Sequence, residues 1–389
     1  MTSMRISMAG LAMLAVLAAP LAAEEVGEFS IPSVLPLSAA ERERLHARVE
    51  QDDEAAALAE RAEAEAAPLL DDEPRPLEVI HYEGLVNTNP KRIATVEKLR
   101  DMAKVARILR YWQVSGDDAA AGALRRFTPA WTSAYKLTGN DVNENKFFPM
   151  LVAYHALRDT FEPEQRERVD AWVRGLGELH RAAVAESERF TNRYGKSVRL
   201  LAIAGMILDE PEWIDEAREG VKRFVTESLY ADGTSRDLRR RDTLTYHGSS
   251  LKKPIDLAVM LGPDGLDLYD WTSPEGGSLA KSVEYVVPYA MGEKTHREWV
   301  HSKVELDHRR HEAGLEKYRK GRLYEPANAL ELMEKAACFD PELMRVVLHL
   351  TDSGAERFPT WRTLMNAVKR PADDEAPSPD EAPDDACAE

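Results

Sequence analysis

The chain has 389 residues, a formal net charge of −17 and two cysteines. Two cysteines are too few for the disulfide framework of a small secreted protein or for a cysteine-rich metal site, although Cys338 and Cys387 could pair in an oxidising compartment. The overall acidity and the lack of a recognised binding module argue against nucleic acid as a partner.

The chain begins with the pattern of a secretory signal peptide over residues 1–23. Arg5 is its only charge, residues 7–19 are almost wholly apolar, and two alanines end the segment. Its apolar core is too short to span a bilayer as a helix. We therefore expect a periplasmic or secreted protein with no membrane span in its mature form.

The acidity is concentrated in two flanking segments. Residues 24–73 carry fifteen Asp and Glu against four Arg, and residues 371–389 carry eight acids and no base. The body over 74–370 is close to neutral and can therefore accommodate a polyanionic ligand. Ser38 followed by Glu41 is a capping-box pattern, which predicts a loosely packed, solvated helix over about 40–66 in the acidic extension. The low-complexity tail is predicted to be disordered.

Between these flanks, apolar residues recur at three- to four-residue steps, first over 93–112 with Gly116 as a plausible helix C-cap. Further helices are predicted over 118–136, 146–160, 163–187, 196–208, 211–229, 249–261, 278–291, 326–338, 341–351 and 357–369. Four of them start with an acid followed by proline, which suits the first helical position. These pairs are Glu162-Pro163, Glu210-Pro211, Glu325-Pro326 and Asp340-Pro341.

Most connections are short, apart from a loop over 262–277 and a basic, His-rich stretch over 292–322. Strand signals are scarce, and there is no fixed-period repeat that would indicate a solenoid. Many helices joined by short links favour an all-α fold of stacked α/α hairpins. We expect residues 74–370 to form an (α/α) toroid, an incomplete α/α barrel, with a central cleft lined by loops and helix ends.

One stretch, Asp232 to His247, combines an Asp-Gly turn, a cluster of arginines, and Tyr246. If it is helical, Arg239 and Tyr246 are two turns apart on one face, about 10 Å along the axis. A guanidinium that binds a carboxylate would then share a groove with a phenol that can move a proton. The alternative is an exposed arginine run beside a partly buried core tyrosine.

Three more polar clusters precede helices, where the cleft of a toroid would present side chains and where helix N-termini favour anions. Asn and Asp are also ordinary helix caps and turn residues, so each cluster could equally be structural. The clusters are His81-Tyr82-Glu83-Gly84 with Asn87, Asn89, Lys91 and Arg92; Gly139-Asn140 with Asn143-Glu144-Asn145-Lys146; and Thr191-Asn192-Arg193-Tyr194-Gly195-Lys196.

The order of these motifs over about 78–260 resembles the alginate lyase superfamily of polysaccharide lyases, and among its members the glucuronan-cleaving relatives of the polysaccharide lyase family 38 type. The matching segments are Tyr82-Glu83-Gly84 with Lys91-Arg92, Thr138-Gly139-Asn140 with Lys146, Asn192, and Arg239 through Tyr246-His247. Two positions depart from the family pattern: Arg193 replaces a histidine, and His81 replaces a lysine.

The resemblance implies β-elimination on a 1,4-linked uronate polymer, with no metal or cofactor. Tyr246 would act as base and acid, while Asn192, Arg239 and Arg193 would neutralise the substrate carboxylate. The expected substrate contacts are His81, Tyr82, Asn143, Glu144, Asn145, Lys146, His247 and His301. In β-D-glucuronate and β-D-mannuronate the C5 proton and O4 lie on one face, so a single tyrosine suffices. The missing histidine at position 193 therefore favours glucuronan or mannuronan over guluronan.

Two other functions remain open from the sequence. A non-catalytic helical protein could bind a glycan or a partner, and a glycoside hydrolase on an α/α scaffold could use Glu144 and Asp237 as its paired carboxylates. The basic stretch Lys294–Arg322 would be either a wall of a carboxylate-binding groove or a solvated helix. Its Asp307-His308-x2-His311 spacing is a weak metal motif. Trp271 and Trp299 are the tryptophans expected to stack on sugar rings.

Overall fold

The structure is a computed structural model that describes residues 31–85, 88–261 and 264–370, with the backbone alone for 264–266. The predicted signal peptide, the acidic tail and Cys387 lie outside these residues, as does Asn87. Cys338 is buried and unpaired among the described residues.

The described residues are helical, with two isolated β-bridges and no strand. The helices are α1 (Ala39–Gln51), α2 (Asp53–Ala66), α3 (Pro90–Ser115), α4 (Asp118–Ala134), α5 (Asp141–Glu144), α6 (Phe148–Leu157), α7 (Pro163–Ala185), α8 (Asn192–Leu208), α9 (Pro211–Ser228), α10 (Arg236–Arg241), α11 (Leu244–Met260), α12 (Asp264–Asp270), α13 (Leu279–Glu284), α14 (Val287–Ala290), α15 (Glu305–Glu312), α16 (Leu330–Ala336), α17 (Met344–Thr351) and α18 (Trp361–Lys369).

Several local signals in the sequence correspond to the observed helix ends. Ser38 and Glu41 form the predicted capping box, and Gly116 ends α3 in the left-handed conformation at φ 65°. Pro163 and Pro211 are the first residues of α7 and α9. By contrast, Pro326 and Pro341 each open a short 3₁₀ turn, which then continues into α16 and α17.

The predicted helix over 40–66 is two helices, separated at Asp52, whose side chain caps α2. These helices pack on α3, and α1 also contacts α18. Their contact residues are buried, as Leu45 at 0 % exposure shows. The boundary drawn at residue 73 remains a prediction, but the acidic segment packs more tightly than its composition indicated.

A ring of inner helices organises the fold. In order, α3 contacts α6, α6 contacts α8, α8 contacts α11, α11 contacts α16, and α16 contacts α18. Because α18 contacts α1 and α1 contacts α3, the ring returns to its start. Outer helices such as α4, α7 and α9 pack on the inner ones. This arrangement confirms the predicted all-α toroid of stacked hairpins.

Buried aromatic side chains and one close helix contact fix the ring beside the cleft. Phe147 packs edge-on between Trp131 and Trp172, with ring centroids 5.6 and 5.7 Å away. Burying side chains of this size contributes about 1.5–3 kcal/mol each. Gly195 lets α8 approach α11, because a Cβ there would lie 3.2 Å from Cδ of Pro254. These contacts set the spacing of the two helices that carry Asn192 and Tyr246.

Candidate active site

Tyr246 lies in the first turn of α11, within a cluster of arginines and aromatic rings. Its hydroxyl is 3.4 Å from the hydroxyl of Tyr318 and 3.4 Å from Nη1 of Arg310. The guanidinium carbon of Arg241 lies 3.8 Å from the centre of the Tyr246 ring. Trp299 packs edge-on against the same ring, with centroids 5.5 Å apart. The phenol is therefore partly buried and has two cations close to it.

This environment lowers the pKa of Tyr246. Burial raises the pKa of the phenol, but the positive charge of Arg241, the hydrogen bond with Tyr318 and the charge of Arg310 together outweigh it. The pKa of Tyr318 moves the opposite way, because it is buried and faces the developing charge of Tyr246. Of the two phenols, Tyr246 is thus the one that ionises more readily.

The two arginines beside Tyr246 differ in what holds them. Arg241 donates to both carboxylate oxygens of buried Asp307, from Nε at 3.1 Å and from Nη2 at 2.7 Å. Arg310 lies 4.6 Å from the centre of the Tyr318 ring, and no carboxylate of the described residues pairs with it. Arg241 is therefore a fixed charge, whereas Arg310 is available to an anionic ligand.

The segment from Arg239 to Tyr246 is not one helix, so these two residues do not share a helical face. The chain turns at Asp242, which adopts the left-handed conformation at φ 53°, so α10 ends there and α11 starts at Leu244. Arg239 points away from the phenol cluster. It donates to Thr234 and Asp232 at 2.8 and 2.7 Å and covers the ring of Tyr230 at 3.5 Å. Arg241, which had no specific role in the sequence analysis, is the arginine of this run that lies over the Tyr246 ring.

Asn192 and Arg193 connect the phenol cluster to the other polar motifs. Asn192 is the first residue of α8, and its backbone N–H donates to the carboxylate of Asp237. Burial raises the pKa of Asp237, while the nearby charge of Arg241 opposes that rise. The backbone of Asn192 and the charge of Arg241 therefore both act on Asp237.

Arg193 is held by two carboxylates rather than left free for substrate. Its Nε donates to Oδ1 of Asp141 at 2.7 Å, and its Nη1 pairs with Glu83. Asn140 also donates to Glu83 through its side-chain amide. The structure thus joins the Tyr-Glu-Gly segment, the Asn140 turn and the start of α8 into one wall, with Arg193 as the crosslink between them.

Tyr82 is a partly buried ring of this wall. Its ring lies between Arg92, at 3.8 Å, and Lys146, at 4.3 Å. Burial raises the pKa of Tyr82, but the charges of Lys146 and Arg92 bring it below its usual value. His81 is exposed next to it and contacts Thr95 only through its backbone N–H. Tyr82, His81 and Lys146 are accessible side chains, as expected for substrate contacts.

Two predicted substrate contacts in the same region are structural. Glu144 is completely buried and accepts hydrogen bonds from Thr138, Gly139 and His180. Asn143 is also buried and bridges the backbone of Ile80 and Glu83. Both side chains hold the turn in place from behind, so neither can reach a substrate. Asn145 accepts a hydrogen bond from Arg199 at 2.5 Å.

His247 is likewise not a substrate contact. Its ring is fully buried, with Nδ1 2.8 Å from Oγ of Ser235 and Nε2 2.9 Å from the carbonyl of Ser282. Burial lowers the pKa of His247 to about 4, so it stays neutral. Trp299 is 2 % exposed, which excludes stacking on a sugar, whereas Trp271 and His301 are accessible.

The basic stretch contributes α15 and a short 3₁₀ turn that carries Tyr318. Its possible metal motif is used otherwise: both oxygens of Asp307 bind Arg241, and Oδ2 also accepts from Ser302 at 2.8 Å. In the described part of the chain, no group of His, Cys, Asp and Glu has a geometry that could hold a metal ion. No helix in that part is long and apolar enough to cross a membrane.

The alginate lyase family model matches residues 44–296. The chain belongs to the alginate lyase family. The match covers the clusters that carry Tyr82, Asn140, Asn192 and Tyr246, and it ends before Trp299, α15 and Tyr318. Membership identifies the protein as a polysaccharide lyase, and the burial of Glu144 removes one of the two carboxylates that a hydrolase would need. No curated protein matches the chain in sequence.

Solved structures of alginate lyases share its fold. An alginate lyase from Bacteroides ovatus is 16% identical, with a TM-score of 0.58 over 86% of this chain and 99% of that one. A variant of alginate lyase A1-III complexed with tetrasaccharide is 15% identical, with a TM-score of 0.55 over 79% and 89%. Alginate lyase A1-III from Sphingomonas species A1 is 14% identical, with a TM-score of 0.50 over 73% and 91%.

Proposed function

We propose that this lyase cleaves a β-1,4-linked polyuronate, glucuronan or polymannuronate, by syn β-elimination, and that it is closest to the glucuronan-cleaving members of the superfamily. The observation that carries the proposal is the phenol of Tyr246, partly buried and flanked by Arg241 and Arg310, with its pKa lowered. A phenol in this environment ionises more readily than a free tyrosine, and its phenolate can act as a base.

The first requirement of the reaction is to neutralise the substrate carboxylate, because negative charge builds on it when the C5 proton leaves. We assign this role to Arg310 together with Asn192. Arg310 has no carboxylate partner among the described residues, and a guanidinium can donate two parallel hydrogen bonds to a carboxylate. Arg239 and Arg193, which the sequence suggested for this role, already pair with Asp232, Asp141 and Glu83.

Proton transfer then needs one residue. The phenolate of Tyr246 takes the proton from C5, the electron pair of that bond forms the C4–C5 double bond, and the bond from C4 to O4 breaks. The new phenol returns the same proton to O4, so the tyrosine ends as it began. Arg241 and Arg310, the two cations beside the phenol, stabilise the transition state, in which negative charge moves from the phenolate oxygen to the substrate carboxylate.

The wall that carries Tyr82 and Lys146 would bind neighbouring sugars. Its partly exposed cation and ring suit a chain that carries one carboxylate per residue. A polymer substrate also agrees with the predicted export of the protein, which rests on residues 1–23 alone.

The test is to incubate the purified protein with glucuronan, polymannuronate and polyguluronate and to follow the near-ultraviolet absorbance of 4,5-unsaturated uronate ends. We expect signal with the first two polymers. Replacing Tyr246 with phenylalanine should lower kcat by about 10²–10⁴-fold, the usual contribution of acid–base catalysis. Tyr230→Phe is the matched control, because that ring lies under Arg239, away from the phenol cluster. Absence of signal on all three polymers would refute the proposal.

A further inference from the structure

A cavity lies inside the helix ring, below the phenol cluster. Its volume is about 540 Å³, which is within the range of about 300–1,000 Å³ typical of small-molecule sites. Its walls include residues of α2, α3, α8, α11, α16 and α18. Arg199 follows Asn192 by seven residues in α8, and Lys253 follows Tyr246 by seven in α11. Seven residues are two helical turns, so the cavity lies about 10 Å deeper than these catalytic candidates.

The cavity is strongly basic. Seven basic and three acidic side chains line it. The lining cations are Arg61, Arg110, Lys146, Arg199, Lys253, Lys335 and Arg362. Four of these pair with one buried carboxylate, that of Asp256, and Lys335 pairs with Glu331 as well. Buried positive charge that exceeds its counter-charge is costly, and an anion in the cavity would offset that cost.

Three buried donors on the cavity wall have no acceptor among the described residues. They are Nε of Arg199, Nη2 of Arg362 and Nε1 of Trp361. Each of these side chains is less than 10 % exposed. Buried donors are almost always paired in folded proteins, so three on one cavity indicate a ligand that supplies acceptors.

The chemistry of the wall fits a sugar acid better than a simple inorganic anion. The cavity also contains Glu331 and Glu334, which can accept hydrogen bonds from hydroxyl groups. The rings of Phe148 and Trp361 lie under Arg199 and Arg110, whose guanidinium carbons are 3.7 and 5.7 Å from the ring centres. Cations for a carboxylate and acceptors for hydroxyls are the features that a uronate needs.

We propose that this cavity is a second binding site, specific for one uronate unit, distinct from the cluster around Tyr246. The identification of the ligand as a uronate, rather than another organic anion, rests on the proposed lyase function. Lys146 lines the cavity and also contacts Tyr82, so a unit bound here would lie next to the inner end of the substrate wall. A product or a chain end could thereby be held while the site around Tyr246 cleaves further substrate.

The experiment is calorimetric titration of the full-length protein with glucuronate, with glucose and sulfate as the neutral and inorganic comparisons. We expect one saturable glucuronate site. Lys253→Met should weaken binding about tenfold, as expected for the loss of one charge-assisted contact. Trp361→Phe keeps an aromatic side chain but removes the unpaired indole N–H together with the five-membered ring that carries it, so it should weaken binding several-fold. Trp112→Phe, whose ring lies under Arg42 and does not line the cavity, should have no effect.

Each result decides between the proposals. Glucuronate binding that is unchanged in both cavity variants, or no binding at all, would overturn the cavity site. Sulfate binding as tightly as glucuronate would overturn its assignment to a sugar acid. The absorbance assay on the same preparations tests the lyase proposal separately, because Lys253 and Trp361 contact none of the residues assigned to catalysis. Binding without cleavage would refute the lyase proposal and leave the cavity site standing.

Discussion

Replacing Arg310 with glutamine tests whether the charge beside Tyr246 tunes its acidity. Nη1 of Arg310 lies 3.4 Å from the phenol oxygen. Opposite unit charges at that distance attract by about 1.2 kcal/mol in the dielectric of water and by about 5 kcal/mol at an effective dielectric of about 20. Arg310 is only partly buried, so the attraction lies between these figures and nearer the lower one. At about 1.36 kcal/mol per pKa unit, removing the charge should raise the pKa of Tyr246 by about one to two.

The assay is kcat/KM as a function of pH on the preferred polymer. Because the active base is the phenolate, activity rises with pH through the pKa of Tyr246, and in Arg310→Gln this rise should occur one to two pH units higher. The plateau at high pH should also fall, since Arg310 is proposed to bind the substrate carboxylate. Arg309→Gln is the matched control, because Arg309 precedes Arg310 on α15 and its side chain is exposed. An unchanged pH profile in Arg310→Gln would refute the electrostatic argument.

The remaining predictions concern stability. His247 has a pKa of about 4 in the folded protein against 6.5 when unfolded, so stability is lost as pH falls from about 6.5 to 4. His247→Gln should remove up to about 3 kcal/mol of this loss. An unchanged slope of the unfolding free energy against pH would contradict this prediction. Glu144→Gln breaks the buried contact with His180 and should lower the free energy of unfolding by about 3 kcal/mol. In chemical denaturation Glu144→Gln should therefore unfold at a lower denaturant concentration, while the folded protein keeps its turnover. A loss of turnover without a loss of stability would instead indicate that Glu144 is a catalytic carboxylate.

The helical fold was predictable because its signals are local. Periodic apolar residues, the Ser38 capping box and Gly116 each act within a few residues of the chain. Apolar periodicity did not predict the starts of two helices, which depend on tertiary contacts. Helices α8 and α11 begin four and five residues before the predicted starts, because Asn192 and Tyr246 lie on first turns that face the cleft and carry few apolar residues.

The candidate site was only half visible in the sequence. Tyr246 and Asn192 could be found from their motifs, but Arg310 and Tyr318 lie 64 and 72 residues beyond Tyr246, and no spacing rule connects them. Arg239 and Arg241 are two residues apart in one basic run, and only the turn at Asp242 decides which of them meets the phenol. The burial of Glu144 and His247 was equally invisible, because polar residues in turns look the same whether they face a cleft or support it.

Asp242 is the residue on which this geometry depends, and its replacement gives the last prediction. Its carbonyl accepts from the N–H of Trp299 at 2.7 Å and its carboxylate from the N–H of His301 at 2.8 Å, which ties the basic stretch to the start of α11. Asp242→Gly keeps the left-handed backbone but loses the carboxylate contact, while Asp242→Ala also strains the backbone by about 1–2 kcal/mol. Asp242→Asn keeps a side-chain oxygen that can accept from His301 and should lose least. Activity and melting temperature should therefore fall in the order Asp242→Asn, Asp242→Gly, Asp242→Ala. Asp352→Gly, at the left-handed end of α17, should keep full activity. If Asp242→Gly is as active as the wild type, the carboxylate does not position Arg310 and Tyr318, and the arrangement of the phenol cluster must come from the packing of Trp299 instead.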